Sequence, residues 1–336
     1  MRQFKMLALT DHSGHSAENS LYAFAKVLSN HPMCAQMDVA TRGNPYNDPF
    51  FKAKLPARIQ ARPVNRNFKF RDDGHAYEQR KKIVSLHDYD VIWLRLPPPI
   101  PESFLNFLAT AFPKQLFIND PRGIWETGSK GFLTAFPELC APMEICTSVE
   151  DIQRARDKYP IVLKPMRAYG GQGIVRIDGD KAWVGKEEMP LSSFLAQLDG
   201  QEINYLAVKF LKNVDQGDKR LVVVNGKIMG ASLRLPPKDS WICNVAMGGS
   251  SNQAEADADE QQIVKRLHPV LRKKGILMYG IDTLVGDDGR RLLSEINTTS
   301  IGGLPQIAQQ NGKPLVEEAS ELIWNYIAKK SKTNVD

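Results

Sequence analysis

Residues 279–305 read YGIDTLVGDDGRRLLSEINTTSIGGLP, and this stretch decides how the chain is built. Two strand-favouring runs, YGIDTLVG and RRLLSEIN, flank Asp288-Gly289, a dipeptide suited to a tight type I′ hairpin turn. With those two residues as the loop, Asp287 pairs with Arg290 and, counting outward, Asp282 falls directly across from Glu295. Asn297 stands two residues further along and shares that face. Ile281, Val285, Leu292 and Ile296 take the other face, as a strand pair packed on a core requires. Carboxylates placed opposite each other repel by up to about 1 kcal/mol, and a hard cation removes that cost. Two carboxylates and an amide oxygen, completed by water and phosphate oxygens, form the donor set of Mg²⁺. The same acids can instead face solvent or pair with Arg290 and Arg291, so the rest of the chain has to decide.

At 336 residues the chain has room for two or three domains, each with its own core. An apolar content of 42% and a charged content of 24% suit a soluble globular protein. The net charge is +6, but the basic residues are scattered and their densest clusters, such as Arg80-Lys81-Lys82, are short. They read as a solvated surface that mildly attracts anionic substrates, not as a nucleic-acid face. Cys34, Cys140, Cys146 and Cys243 form no CxxC pair, which fits a reducing cytoplasm. The apolar run at residues 6–9 is too short for a signal peptide, and no run is long enough to span a bilayer. The expected partners are small molecules or short peptides, with neither nucleic acid nor membrane.

Along the chain, strands are expected at residues 4–9, 34–39, 90–96 and 116–118, with helices at 17–29 (capped by Ser16) and 102–112. Strands alternating with helices predict an α/β unit with a parallel, doubly wound sheet over residues 1–120. Its ligands would lie beyond the strand carboxyl ends, around residues 11–14, 95–99 and 119–122, which include Asp11, Ser13, Arg95 and Asn119. Residues 41–67, rich in Pro, Asn and Arg, read as a long, partly ordered excursion. A second unit, residues 121–203, begins with a helical stretch at 127–136. It contains IVLKPMRAYGGQGIVRI (161–177), in which a strand presents Lys164 and then turns through Gly170, Gly171 and Gly173. Glycine-rich backbone can form a concavity for phosphate oxygens, and Lys164 adds a point charge. The loop returns to a strand, so it is neither a Walker A motif nor a dinucleotide fingerprint. A third unit, residues 204–336, starts with a strand at 205–211. It continues with the Asn225-Gly226 hairpin, a loop at 236–252 and a helix at 257–274 that Pro269 should kink or split. That helix has Ile263, Leu267, Val270 and Leu271 as its apolar stripe, and a helix at 313–329 closes the chain.

Taken in order, a strand–Lys–Pro–Gly-rich loop, D-K-R-L-V-V-V-N-G, G-I-D and E-I-N-T-T-S resemble the ATP-grasp superfamily. Within it the chain is most similar to the bacterial glutathione synthetase family, from about residue 116 to residue 303. The resemblance implies a three-domain ATP-grasp fold: a substrate domain, a central lid and a C-terminal antiparallel sheet. It also implies an ATP-dependent carboxylate–amine ligase working through an acyl phosphate, with γ-glutamylcysteine and glycine as the leading substrate pair. A related peptide or glutamate ligase with another pair is the alternative. By the same resemblance, Lys130 and Lys164 match the lysines that contact the nucleotide phosphates. Gly170, Gly171, Gln172 and Gly173 match the mobile loop that closes over them. Lys209, Phe210 and Leu211 match the adenine-reading segment, with Lys209 where relatives often carry Gln or Glu. Asp218 belongs near the nucleotide, and Arg220 and Arg234 match catalytic arginines. Asp282, Glu295 and Asn297 match the ligands of two Mg²⁺ ions, with Mn²⁺ as a substitute. Relatives further imply a cytoplasmic dimer or tetramer.

The departures from the family bear on substrate more than on reaction. After E-I-N the family typically runs V-T-S-P-T and then an Arg-Glu pair, whereas this chain has Thr298-Thr299-Ser300-Ile301-Gly302-Gly303. Ile242-Cys243 precede Asn244, where the family usually has Arg-Gly. Asp11, Ser13, Arg95, Asn244, Ser300, Gly302 and Gly303 are the expected substrate contacts. Two other classes fit less well. A nucleotide-binding module without turnover could do without the metal carboxylates. A dinucleotide oxidoreductase would need GxGxxG where this chain has Asp11-His12-Ser13-Gly14-His15.

Overall fold

The computed structural model describes residues 2–237, 241 and 250–333. Its first unit runs β1 (Phe4–Thr10), α1 (Ser20–Ser29), β2 (Cys34–Thr41), α2 (Asp48–Phe51), β3 (Ile59–Pro63), β4 (Lys82–Val84), β5 (Val91–Arg95), α3 (Glu102–Ala111) and β6 (Leu116–Ile118). The sheet order is β4-β3-β2-β1-β5-β6. Strands β2, β1, β5 and β6 are parallel, as the alternating pattern predicts, while β3 and β4 add on antiparallel. The excursion at 41–67 is therefore partly a strand of the sheet. Asn47 anchors it, donating to the carbonyls of Thr41 and Gln60 at 3.0 Å each. Helix α1 is capped by Asn19, not Ser16, and buries Leu21, Phe24 and Leu28 in a core shared with Trp324.

The second unit comprises α4 (Pro121–Thr127), β7 (Met143–Cys146), α5 (Val149–Arg156), β8 (Ile161–Pro165), β9 (Val175–Asp178), β10 (Lys181–Val184), β11 (Glu187–Pro190), α6 (Leu191–Gln197) and β12 (Tyr205–Lys209). Its sheet order is β11-β10-β9-β8-β12-β7. Strand β12, expected to open the third unit, thus lies between β8 and β7 of the second sheet. Of the helix expected at 127–136, residues Lys130–Ala135 form a tighter 3-10 turn after α4. The start of α4 is locked to the third unit. A Cβ on Gly123 would stand 1.9 Å from the Lys274 carbonyl oxygen, and Asp120 N–H donates to the Gly275 carbonyl at 3.1 Å.

The third unit comprises β13 (Asp218–Val224), β14 (Lys227–Leu235), β15 (Ser250–Ala254), α7 (Ala258–Lys273), β16 (Met278–Val285), β17 (Arg291–Asn297), α8 (Leu304–Asn311) and α9 (Leu315–Thr333). Its antiparallel sheet has the order β15-β14-β13-β16-β17. Asn225 and Gly226 both take positive φ, as the expected hairpin turn requires. Helix α7 runs on through Pro269 and is not split. Its stripe holds Val264 in place of Val270, which is 37% exposed. Helix α8 was not expected; it starts directly after Gly303, whose φ of 93° opens the turn into it. Buried Asn119, at the end of β6, ties the first unit to the third. It accepts from the N–H groups of Leu277 and Met278 and donates to the carbonyls of Met278 and Thr298.

Candidate active site

Asp282 does lie across from Glu295, but by a different route from the one the sequence suggests. The turn holds three residues, Asp287, Asp288 and Gly289, closed by a 2.7 Å bond from Gly286 N–H to the Arg290 carbonyl. That slips the pairing by one residue, so that Thr283 faces Leu293 and Leu284 faces Leu292. A bulge at Ser294 slips it back before Asp282 is reached. Two one-residue shifts cancel at the carboxylates. Between them the faces are exchanged: Leu292 lines the cavity above the sheet, and Leu293, not Leu292, belongs to the core.

Strand alternation carries the charge row across four neighbouring strands. Arg234 on β14 faces Asp218 on β13; Arg220, two residues on, faces Asp282 on β16; Asp282 faces Glu295 on β17. Lys219 points to the opposite face, where its ammonium meets the buried Glu260 of α7 at 2.7 Å. Arg220 forks onto Asp282 through Nε and Nη2, the latter at 2.8 Å. Arg234 forks onto Asp218 at 2.7 and 2.6 Å and also reaches Asp282 at 2.9 Å. Burial alone would raise the Asp282 pKa, yet the two guanidiniums hold its carboxyl well below the usual carboxylate range. Asp218 behaves oppositely. Burial and the neighbouring Asp282 charge push it up to about 6, against the pull of Arg234. The Nη1 atoms of Arg220 and Arg234 have no hydrogen-bond partner among the described residues.

The second sheet supplies the facing wall. Lys164 on β8 donates to the bulged Ser294 Oγ at 3.0 Å, and burial lowers its pKa while Glu295 opposes the shift. Lys130, 8% exposed, donates to the Ala168 carbonyl, stands 3.8 Å from Glu295 and lies 5.5 Å from the Tyr169 ring centre. Burial lowers its pKa too. Gly170, Gly171 and Gly173 all have positive φ, a conformation that glycine adopts without strain. Gly170 and Gly171 line the cavity; Gln172 and Gly173 are exposed and do not.

Between the two sheets lies a cavity of about 400 Å³. Lys164, Asp218, Arg220, Arg234, Asp282, Glu295 and Asn297 line one part, and Ala141, Val162, Val208, Phe210, Leu211 and Leu292 another. Lys209 lines it as well, with its ammonium 2.7 Å from Asp287 at the hairpin turn. Three cations (Lys164, Arg220, Arg234) therefore meet three carboxylates (Asp218, Asp282, Glu295) in the polar part, which faces an apolar compartment, and Lys130 stands beside Glu295 just outside the cavity.

The other expected contacts form a separate group at the carboxyl ends of β1 and β5. Asp11 accepts from Ser13 and, at 2.7 Å, from Arg42. Arg95, 3% exposed, donates through Nη2 to Ser20 Oγ at 2.6 Å and to the Ile301 carbonyl at 3.0 Å, joining the first unit to the segment after β17. Burial brings its pKa down to about 10. Ser300 donates to the Arg95 carbonyl at 3.4 Å, and a Cβ on Gly302 or Gly303 would meet open space. Asn244 lies outside the described residues. Sequence reasoning missed Ser294, Tyr169 and Asp287. The break in alternation at Leu292-Leu293-Ser294 was the one signal of the bulge.

For a divalent cation, Asp282, Glu295 and Asn297 offer only oxygen donors on one wall, which fits a hard ion. Among the described residues no third carboxylate, histidine or cysteine joins them. Asn297 Nδ2 lies 3.3 Å from Asp282, so the three side chains already form one group.

Comparison with known proteins gives a consistent result. Residues 129–312 match the family model described as prokaryotic glutathione synthetase, ATP-grasp domain. A glutathione synthetase from Bradyrhizobium diazoefficiens is 31% identical over 254 residues, covering 74% of this chain and 76% of the relative. One from Agrobacterium fabrum is 33% identical over 253 residues, covering 74% of each. Among solved structures, a D-cycloserine synthetase aligns with a TM-score of 0.65 at 12% identity, over 96% of this chain and 99% of that one. The Bacillus anthracis D-alanine–D-alanine ligase, complexed with ATP, aligns at 0.59 and 14% identity, over 98% and 99%. At those identities the structural likeness shows the fold, which is the three-domain ATP-grasp architecture.

Proposed function

The chain belongs to the prokaryotic glutathione synthetase family of ATP-dependent carbon–nitrogen ligases, and from that premise we propose that it joins γ-glutamylcysteine to glycine. The observation that carries the reading is the charge row of Arg234, Asp218, Arg220, Asp282 and Glu295, which with Lys164 opposite borders a cavity with an apolar compartment. The apolar compartment suits the adenine ring. Lys164, Lys130 and the backbone N–H groups of Gly170 and Gly171 suit the phosphates. Asp282, Glu295 and Asn297 would hold the divalent cation, expected as two Mg²⁺ ions, which neutralises phosphate charge when bound.

In the reaction so proposed, a substrate carboxylate oxygen attacks the γ-phosphorus and ADP leaves. The amine then attacks the acyl carbon, and phosphate departs carrying that oxygen. The protein's share is positioning and charge stabilisation. Arg220 and Arg234, steadied by Asp282 and Asp218, keep Nη1 donors for the transferring phosphoryl group and the acyl phosphate. Lys130 and Lys164, held by Ala168 and Ser294, fix the loop against the phosphates. The enzyme is proposed to act in the cytoplasm as a homo-oligomer.

A second reading, a different acid–amine pair on the same chemistry, is favoured by residues 298–306, which depart from the family pattern beside the site. The test is product analysis by mass spectrometry with ATP, Mg²⁺, γ-glutamylcysteine and glycine. Glutathione formed one-for-one with phosphate is the expected result. Phosphate released with no glutathione, but with an amide from another acid in a substrate panel, would replace the first reading with the second.

A further inference from the structure

Arg62, on β3, is 4% exposed and forms no ion pair, and none of its nitrogens has a hydrogen-bond partner among the described residues. Its Nε is sealed from solvent. Burying a guanidinium without a counter-ion is costly, and native structures seldom leave one so. The surroundings make this arginine stranger still. The charges acting on it from nearby are the cations Arg71, itself paired with Asp73 at 3.1 Å, and Arg80, and the polar groups are the hydroxyls of Tyr22 and Tyr77. Phe68 packs under the guanidinium, 5.3 Å from its carbon to the ring centre. These surroundings have the make-up of an anion receptor, with no carboxylate among the described residues paired to the arginine.

A chain of polar contacts links these surroundings to the crevice beyond the carboxyl ends of β1 and β5. Tyr77 and Tyr22 hydroxyls lie 3.3 Å apart, and Tyr22 reaches His15 Nδ1 at 2.9 Å. His15 Nε2 meets Thr10 Oγ1 at 3.1 Å, and Thr10 donates to the Arg95 carbonyl. Tyr77 also stacks on His12 at 4.6 Å between ring centres, and His12 is held by Thr41 at 2.8 Å. Among the described residues bordering this crevice, Asp11 is already paired with Arg42 and Asp73 with Arg71. A doubly wound sheet binds its ligand in such a crevice, between β1 and β5 where the strand order reverses.

We propose that Arg62, with the hydroxyls of Tyr22 and Tyr77, receives a second carboxylate of the acid substrate, distinct from the carboxylate that is activated. The proposal rests on the ligase reading above and deepens it by requiring a substrate with at least two carboxylates. Residues 59–77, which the excursion and its continuation contribute, thereby set which acid is accepted.

The test titrates γ-glutamylcysteine, and its analogue with the glutamyl α-carboxylate turned into a carboxamide, into the nucleotide-free protein by calorimetry. Wild type should prefer the free acid by roughly 10- to 150-fold, the span for a hydrogen bond to a charged group. Arg62→Met should bind both forms equally weakly, with ATP affinity unchanged and Tm not lowered, because an uncompensated buried charge has been removed. Arg62→Lys should recover part of the preference. A well-folded Arg62→Met protein that keeps the wild-type preference overturns the inference and leaves the ligase reading standing. A wild type that binds neither form overturns both the inference and the γ-glutamylcysteine assignment. A fall in Tm with unchanged preference assigns Arg62 a purely structural role.

Discussion

Replacing Asp282 by Asn and Glu295 by Gln should separate the two carboxylates that the strand pairing sets side by side. Asp282 is 4% exposed and accepts from Arg220 twice and Arg234 once, so it neutralises buried guanidiniums. Removing one partner of a buried charge cluster costs about 3–5 kcal/mol. At roughly 2–4 °C per kcal/mol for a domain of 150–250 residues, Asp282→Asn should lower the apo-protein Tm by roughly 6–20 °C. Glu295 has a side chain 28% exposed and, among the described residues, a single ion-pair contact, 3.8 Å from Lys130. Its loss should cost less than about 1 kcal/mol, and Glu295→Gln should melt within about 4 °C of wild type. Both variants should lose phosphate release by about 100-fold or more, since each removes charge from the proposed cation site. Scanning calorimetry without nucleotide, then a phosphate-release assay on the folded fraction, reads both effects. Equal Tm losses would refute the division of roles, and wild-type turnover in Glu295→Gln would remove Glu295 from the chemistry.

Three further outcomes are expected. Gly123→Ala forces a Cβ against the Lys274 carbonyl oxygen, so it should destabilise by about 1–3 kcal/mol; an unchanged Tm would mean that the α4 contact yields freely. Lys164→Ala should weaken ATP binding by about tenfold or more without lowering Tm, and unchanged affinity in calorimetry would return Lys164 to a structural role. The third concerns Asp218, whose folded pKa is raised to about 6 from an ordinary 3.8. Between those values the folded state binds the extra proton, so its stabilising contribution is present at low pH and lost as pH rises through about 6. Asp218→Asn should therefore gain roughly 1–3 kcal/mol relative to wild type between about pH 4 and pH 7, and parallel Tm–pH curves would contradict the shift.

Much of this site is legible in the chain because strand alternation and residue chemistry are local. Asp218 and Arg220 share a face two residues apart, and Asp282, Glu295 and Asn297 follow from counting along a hairpin. The count succeeded through cancellation: a turn of three residues and the Ser294 bulge shifted the register in opposite senses, and Leu292 between them was put on the wrong face. The parallel order of the first sheet also follows from the alternation of strands and helices. Long-range placement does not. Nothing in YLAVK distinguishes an edge of the third sheet from its actual place between β8 and β7. Strand β3 escaped notice because IQARP is short and carries a buried arginine where the pattern expects an apolar residue. Asn119 looks like a ligand at a strand end, yet its four hydrogen bonds are all spent joining two units. Expected substrate contacts Asp11 and Arg95 likewise turn out to hold internal partners as well as bordering the crevice.

The central claim is that a carboxylate is activated by phosphoryl transfer before an amine attacks it. The measurement that tests it most directly follows heavy-isotope oxygen in the reacting carboxylate of the acid substrate during turnover with ATP and amine. The account predicts that one labelled oxygen per turnover appears in the released inorganic phosphate, detected by mass spectrometry or by the isotope shift in phosphorus NMR. Amide product formed with unlabelled phosphate would contradict it, because the acyl phosphate would then not lie on the path.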